Sequence, residues 1–401
     1  MIDADDFLLP LAARGFDFYT GVPCSFLTPL LDKVIAGGTC GARFDYVSAS
    51  SEGEAVAIAS GAWLAGRDTV VMFQNSGLGN AVNPLTSLNH PFRIPSLLVT
   101  TWRGAAGLHD EPQHELMGAI TPQLLQLIGI PSHPFPREAG EVSTALDRAL
   151  NHMAEHALPF AFIMEQGSVR DAGLSAAPTA APARGEVHDL TVRGALPTRM
   201  ASMEAFLEAL PEDAGIIATT GKCGRELFSI ADREQHLYQV GSMGGAAGMG
   251  LGAALNVRTP IVIFDGDGAA LMKLGSLATI GAMAPANLIH VVLDNASYDS
   301  TGGQPTTSPS VQFARVAQAC GYRAGWGADD LTGLRQATAR ALATPGPHLI
   351  HMRIAPGSMR ELGRPGVTPA EVARRFKAFL TPLRTRSNAG LLRIDPGHGR
   401  A

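Results

Sequence analysis

The sequence predicts two consecutive α/β domains, each a doubly wound parallel sheet covered by helices on both faces. Three observations predict this. Short, near-continuous apolar runs alternate with longer helix-like segments, the pattern of strands buried on both faces. The alternation stops over residues 173–198, where Ala, Pro, Gly and Thr dominate, and then restarts. The 401 residues suffice for two domains of roughly 150–200 residues, each able to bury a core.

In the first half, Asp17-Phe18-Tyr19-Thr20-Gly21-Val22-Pro23 reads as a strand running into a loop. Ser51 to Leu64 reads as a helix with Ala and Gly at packing positions. Thr69 to Phe73 is a strand that enters a Gly-rich turn, and Ser96 to Thr101 and Phe160 to Met164 are further strands. In the second half, Ile216 to Gly221 is a strand plus turn, and Pro260 to Phe264, Leu288 to Leu293 and His348 to Ile354 are strands. The expected organisation is a first domain over 1–172, a linker over 173–198, a second domain over 199–380 and a loose Arg- and Gly-rich tail over 381–401.

Composition excludes several classes. Apolar residues make up 46% and the net charge is only −5, unlike a disordered chain. With 31 basic against 36 acidic residues there is no basic footprint for nucleic acid. Cys24, Cys40, Cys223 and Cys320 lie far apart, too sparse for a disulfide scaffold, which points to a reducing compartment. Met1-Ile2-Asp3-Ala4-Asp5-Asp6 is acidic where a signal peptide is basic. No apolar run reaches the ~18 residues of a spanning helix. A cytoplasmic protein without membrane partners is expected.

The strand Ile261-Val262-Ile263-Phe264 runs into Asp265-Gly266-Asp267-Gly268-Ala269-Ala270. Glycines at the carboxyl end of a parallel strand let backbone N–H groups approach an anion. Asp267 is too short to reach far, but it can hold a metal that bridges to phosphate. The next strand, Leu288 to Leu293, ends at Asp294-Asn295, and adjacent parallel strands would set Asp267 beside Asn295. Mg²⁺ takes six oxygens in near-octahedral geometry. Asp267, Asn295 and a carbonyl near Ser297 give three, leaving the rest to a diphosphate and water.

Gly266-Asp267-Gly268, a strand, then Asn295 resembles the signature of thiamine-diphosphate-dependent enzymes, with Asp294 where relatives usually carry a first Asn. The resemblance implies a pyrimidine-binding first domain and a diphosphate-binding second domain. It makes Asp267 and Asn295 side-chain ligands of Mg²⁺ and Ser297 a carbonyl ligand. Gly241 and Met243, in Val240-Gly241-Ser242-Met243-Gly244, match the positions that receive the cofactor's 4′-amino group and prop it in a bent conformation. Gly221, Ser242, Gly266, Gly268, Ala269 and Tyr298 complete the expected cofactor contacts.

The cofactor also needs a carboxylic acid at pyrimidine N1′, so that its imino tautomer can remove the C2 proton. In this family a Glu precedes a small-residue helix with Gly nine positions later, and Glu52 with Gly61 fits where Glu54 does not. Gln74 to Asn80 resembles the family's Ser-Gly-x-Gly turn. A dinucleotide loop there is rejected because Val82 stands where the third Gly is needed. Since Glu52 and Asp267 lie on different halves, and in the family come from different subunits, the resemblance implies a homodimer or higher homo-oligomer.

Several stretches resemble the phosphonopyruvate decarboxylase branch: Gly21-Val22-Pro23-Cys24-Ser25, His109-Asp110-Glu111-Pro112-Gln113-His114 and Gly302-Gly303-Gln304-Pro305-Thr306. The implied reaction converts phosphonopyruvate to phosphonoacetaldehyde and CO₂, in phosphonate natural-product biosynthesis. Sulfopyruvate or another 2-oxoacid as substrate, and a carboligating synthase, stay open as alternatives. A multiply charged substrate on an acidic protein needs a local basic cluster, for which Arg103, Lys222 and Arg225 are the candidates. Asp110 and His114, in one short loop, are the candidate proton donors. The 173–198 gap is too short for the middle domain that many relatives carry.

Overall fold

The computed structural model describes residues 1–107, 109–171, 173 and 185–385. Among these, each half of the chain forms a large parallel sheet. The first contains β1 (Phe16–Gly21), β2 (Asp45–Ser48), β3 (Asp68–Phe73), β4 (Leu97–Thr101), β5 (Ser132–Pro134) and β6 (Phe160–Met164), in the order β2-β1-β3-β4-β6-β5. The second contains β7 (Glu186–Asp189), β8 (Gly215–Ala218), β9 (His236–Tyr238), β10 (Ile261–Gly266), β11 (Leu288–Asp294), β12 (Ala324–Ala328) and β13 (His348–Arg353), in the order β9-β8-β10-β11-β13-β12-β7. In both, the chain winds out one way and then reverses. Such a sheet opens a crevice at the carboxyl ends of its strands, at the reversal. That point lies between β1 and β3 in the first sheet and between β8 and β10 in the second.

The central strands are the apolar runs expected from sequence. Every residue of β4 and β11 is buried. Side chains alternate between two cores: Val71 and Phe73 face a core shared by both halves, while Val70 and Met72 face one confined to the first. Sequence pattern misses the short and edge strands. Ala324–Ala328 reads Ala-Gly-Trp-Gly-Ala, poor in β-branched residues.

The stretch 173–198, expected as a linker, contributes structure. Its Glu186–Asp189 is β7, paired parallel with β12 at the edge of the second sheet. Its residues are mostly exposed, so they carry no apolar signal. Residues 174–184 of that stretch lie outside the described residues. The expected loose tail starts with a fixed turn at Thr381–Leu383, and Thr385 N donates to Asn256 O at 3.0 Å. Residues 386–401 lie outside the described residues. Among the described residues, no helix is long and apolar enough to cross a membrane.

Two helices join the halves: α1 (Glu52–Leu64) and α3 (Gly245–Ala254), with α2 (Lys222–Ile230) between them in the chain. Every residue of α3, and all of α1 except Trp63, is buried. Neither has a polar face, as a helix enclosed on all sides should not. Glycine sets their closeness. A Cβ on Gly61 would lie 1.9 Å from the Met249 carbonyl oxygen, and one on Gly252 would lie 2.0 Å from that of Ile58. The buried Arg67 ties the joint further, pairing with Asp17 and Asp45 and donating to Asn256 Oδ1 at 2.7 Å.

Candidate functional site

In the first half, the site grows from the loops after β2, β1, β3 and β4. The Ser51 hydroxyl caps α1 by accepting from Glu54 N, which starts the helix with Glu52 at its first position. Glu52 is buried, and its Oε2 accepts from Asn80 Nδ2 at 2.8 Å. Gly77 closes over it: a Cβ there would lie 2.0 Å from Glu52 Oε1. The same turn reaches the loop after β4. The Asn75 amide donates to Arg103 O at 2.9 Å and accepts from Arg103 N at 3.0 Å.

Arg103 is not a free cation. Its guanidinium makes a two-point pair with Asp110, donates to Ser25 Oγ at 3.4 Å, and lies 4.7 Å from the Phe26 ring centroid. Asp110 also accepts from Gly104 N and Glu111 N. The Arg103 hydrogen bond, helped by these N–H groups, holds the Asp110 carboxyl far below the usual carboxylate range. A carboxylate fixed in this way accepts hydrogen bonds and orients the Arg103 guanidinium. His114 is buried, and its Nδ1 has no hydrogen-bond partner among the described residues.

In the second half, β10 delivers Asp267 to the first position of α4 (Asp267–Met272). Asp267 is 2% exposed and accepts from Thr306 Oγ1 at 2.5 Å. Burial, the largest influence, pushes its carboxyl above the ordinary value; the Thr306 bond opposes this and the Asp294 carboxylate reinforces it. Two buried carboxylates side by side are what a bound cation would relieve. Asn295 offers Oδ1, which accepts from Ser297 N at 3.1 Å, while its Nδ2 donates to Asp299 Oδ2 at 2.6 Å. Asp294, in place of the family's usual Asn, is held by His351 at 2.8 Å and by Ser308 Oγ at 2.7 Å. Burial would raise its carboxyl, but the His351, Ser308 and Ala296 N bonds bring it below the ordinary value.

The surrounding loops form an open cradle. Gly268 faces Tyr298, where a Cβ would lie 2.4 Å from the ring. Gly241, Ser242 and Gly244 all take positive φ, giving the turn that leads into α3. Met243 stays 39% exposed there. The buried Thr219 hydroxyl and Gln239 Oε1, at the ends of β8 and β9, have no hydrogen-bond partner. No cluster of three His, Cys, Asp or Glu side chains exists among the described residues, so a metal here must share amide, backbone and ligand oxygens. An oxygen donor set with unmet polar atoms beside it fits a diphosphate-bridged Mg²⁺.

The two sets of loops touch. Ser242 N donates to Ser87 Oγ at 2.9 Å, Thr279 Oγ1 donates to Glu54 Oε2 at 3.0 Å, and a Cβ on Gly53 would lie 3.2 Å from Lys273 Nζ. The start of α1, next to Glu52, thus lies near Lys273, at the end of the helix that Asp267 begins. Among the expected anion-binding residues, Arg225 is diverted: it donates to the carbonyls of Leu362 at 2.6 Å and Gly363 at 2.9 Å, anchoring that loop. The Lys222 side chain, beside Gly221 at the start of α2, has no hydrogen bond or ion pair among the described residues. Sequence reasoning missed Thr306, Asp299, Arg199 and Lys273. Thr306 ends the Gly-Gly-Gln-Pro-Thr run already singled out, so a signal for it was at hand.

Two family descriptions match the chain. Residues 4–124 match the N-terminal thiamine-pyrophosphate-binding domain of thiamine pyrophosphate enzymes, and 219–352 match the C-terminal one. A phosphonopyruvate decarboxylase of Streptomyces viridochromogenes is 50% identical over 383 residues, spanning 95% of this chain and 96% of the relative. A sulfopyruvate decarboxylase of Methanosarcina acetivorans is 31% identical over 380 residues, spanning 91% and 94%. In fold, the chain resembles benzoylformate decarboxylase from Polynucleobacter necessarius, with a TM-score of 0.66, 14% identity and coverage of 91% and 100%.

Proposed function

Because the chain belongs to the thiamine-diphosphate-dependent decarboxylases, in the phosphonopyruvate decarboxylase branch, we propose that it converts 3-phosphonopyruvate to phosphonoacetaldehyde and CO₂ in the crevice between its halves. The observation that supports this is the approach of the two halves across the α1–α3 joint, where Ser242 N donates to Ser87 Oγ and Gly53 beside Glu52 lies against Lys273. When bound, thiamine diphosphate supplies a nucleophilic carbon for the 2-oxo group and an electron sink for the departing CO₂.

The chain's own residues do the rest. The Glu52 carboxyl would hydrogen-bond the pyrimidine ring of the cofactor. Asp267 and Asn295 Oδ1, with the Ser297 carbonyl, would hold Mg²⁺, which would neutralise charge on the diphosphate. Gly241, Ser242 and Met243, with the loops at Gly221, Gly266, Gly268, Ala269 and Tyr298, shape the cofactor's bed. Lys222 attracts the phosphonate. Arg103, kept in place by Asp110, presents the remaining edge of its guanidinium, and Arg225 keeps the 362–363 loop fixed. His114 is the proposed proton donor to the product carbon.

The test is aldehyde and CO₂ release on phosphonopyruvate, sulfopyruvate and pyruvate, measured side by side. Phosphonopyruvate is expected to give the highest kcat/KM, and Lys222→Ala should raise its KM by about tenfold, the value of one hydrogen bond to a charged group. A higher kcat/KM on sulfopyruvate would reassign the substrate. A C–C bonded product with an added acceptor aldehyde would reassign the reaction. We further propose a cytoplasmic homo-oligomer of at least two copies; relatives named as alpha and beta subunits of sulfopyruvate decarboxylase support the assembly. Sedimentation of the active species as a monomer would refute it.

A further inference from the structure

We propose that Asp299 is the positioning residue that aims the Asn295 amide at the metal, and that Arg199 holds Asp299 in place for it. One oxygen, Asp299 Oδ2, accepts from three donors: Asn295 Nδ2 at 2.6 Å, Arg199 Nη2 at 2.9 Å and Gly357 N at 3.1 Å. Arg199 is 5% exposed and begins the helix Arg199–Leu207. Its other arm donates to Gly357 O at 3.2 Å and reaches Glu226 Oε1 at 3.5 Å. A buried guanidinium with this many partners holds one geometry.

The consequence for Asn295 follows from donor and acceptor chemistry. A primary amide can present either its oxygen or its NH₂ to a neighbour, and only the oxygen binds a cation. A carboxylate accepts and cannot donate. Asp299 therefore draws the NH₂ end toward itself. The Ser297 N–H, at 3.1 Å from Oδ1, enforces the same orientation from the other side. Oδ1 has a second lone pair, and it is the one left for the metal. An asparagine at 299 can turn either an oxygen or an NH₂ toward Asn295, so the partner no longer defines the direction of the amide.

This rests on the reading of Asn295 as a metal ligand, and the experiment separates the two. Mn²⁺ is titrated into the full-length protein with saturating thiamine diphosphate, and free Mn²⁺ is read by its EPR signal. Asp299→Asn, nearly isosteric, is expected to weaken Mn²⁺ binding about tenfold, the lower end for residues that orient a ligand. Arg199→Lys should give a smaller loss, because its ammonium keeps the charge without the fork. Glu226→Gln removes the charge from Arg199's other side-chain partner and should leave Mn²⁺ affinity as in the wild type. Wild-type affinity in Asp299→Asn overturns the proposal, as does an equal loss in Glu226→Gln, which would indicate general loosening. If Asp299→Asn does not fold, Arg199→Lys with wild-type affinity overturns it. If Asn295→Ala also binds Mn²⁺ normally, the ligand reading itself falls; if Asn295→Ala alone loses affinity, only the role of Asp299 falls.

Discussion

Replacing Glu52 by Gln is expected to lower kcat about 10³-fold, within the range for removing a positioned acid or base, while thiamine diphosphate still binds. The glutamine amide has the same shape, and its oxygen can still accept from Asn80 Nδ2, as Glu52 Oε2 does at 2.8 Å. The packing against Gly77 is likewise preserved. What disappears is the transferable proton. Steady-state turnover and calorimetric cofactor binding, measured on one preparation, check this. Turnover within a few-fold of wild type would show that the acid lies elsewhere. Glu54, the nearby alternative, is already committed to Ser50 and to Thr279 of the other half.

Replacing Asp267 by Asn is expected to abolish Mg²⁺-dependent stabilisation by thiamine diphosphate without destabilising the metal-free protein. The sign follows from the environment. Burial, reinforced by Asp294, raises the Asp267 carboxyl above its unfolded value. A carboxylate with a raised folded pKa stabilises the fold only when protonated, so at neutral pH its ionised form weighs against the folded state. Asparagine removes that charge and keeps an acceptor for the Thr306 hydroxyl. The metal-free variant should therefore melt at or above the wild-type temperature. Ligand at 100 times its Kd stabilises a protein by about 2.7 kcal/mol, and this gain should vanish in the variant. Thermal melts with and without Mg²⁺ and thiamine diphosphate decide it, and a ligand shift equal to wild type would remove Asp267 from the metal site.

The frame of the site was legible because its motifs are local. Gly266-Asp267-Gly268 follows a strand within a few residues, and the polar end of β11 lies on the neighbouring strand, so their proximity needs only a parallel sheet. The glycines of α1 were likewise readable as packing positions, because a helix of small residues without a polar face is built to be enclosed. The edge strands were not legible. β7 is polar and exposed because it is paired along one side, and β12 is built largely from Gly and Ala.

The sequence by itself determined the two parallel sheets, the glycine-bearing turns at the carboxyl ends of their strands and the helix that begins at Glu52. Each follows from residues that are neighbours in the chain or on adjacent strands. Only the tertiary structure decided which charges are free to act. Arg103 meets Asp110, Arg225 is spent on carbonyls 137 and 138 residues away, and Arg199 reaches Asp299 across 100 residues. A formal charge belongs to a residue type, but its availability depends on which partner the fold brings within hydrogen-bond distance and how far water is excluded around the pair. That partner is set by long-range packing, which the spacing of residues along the chain does not encode.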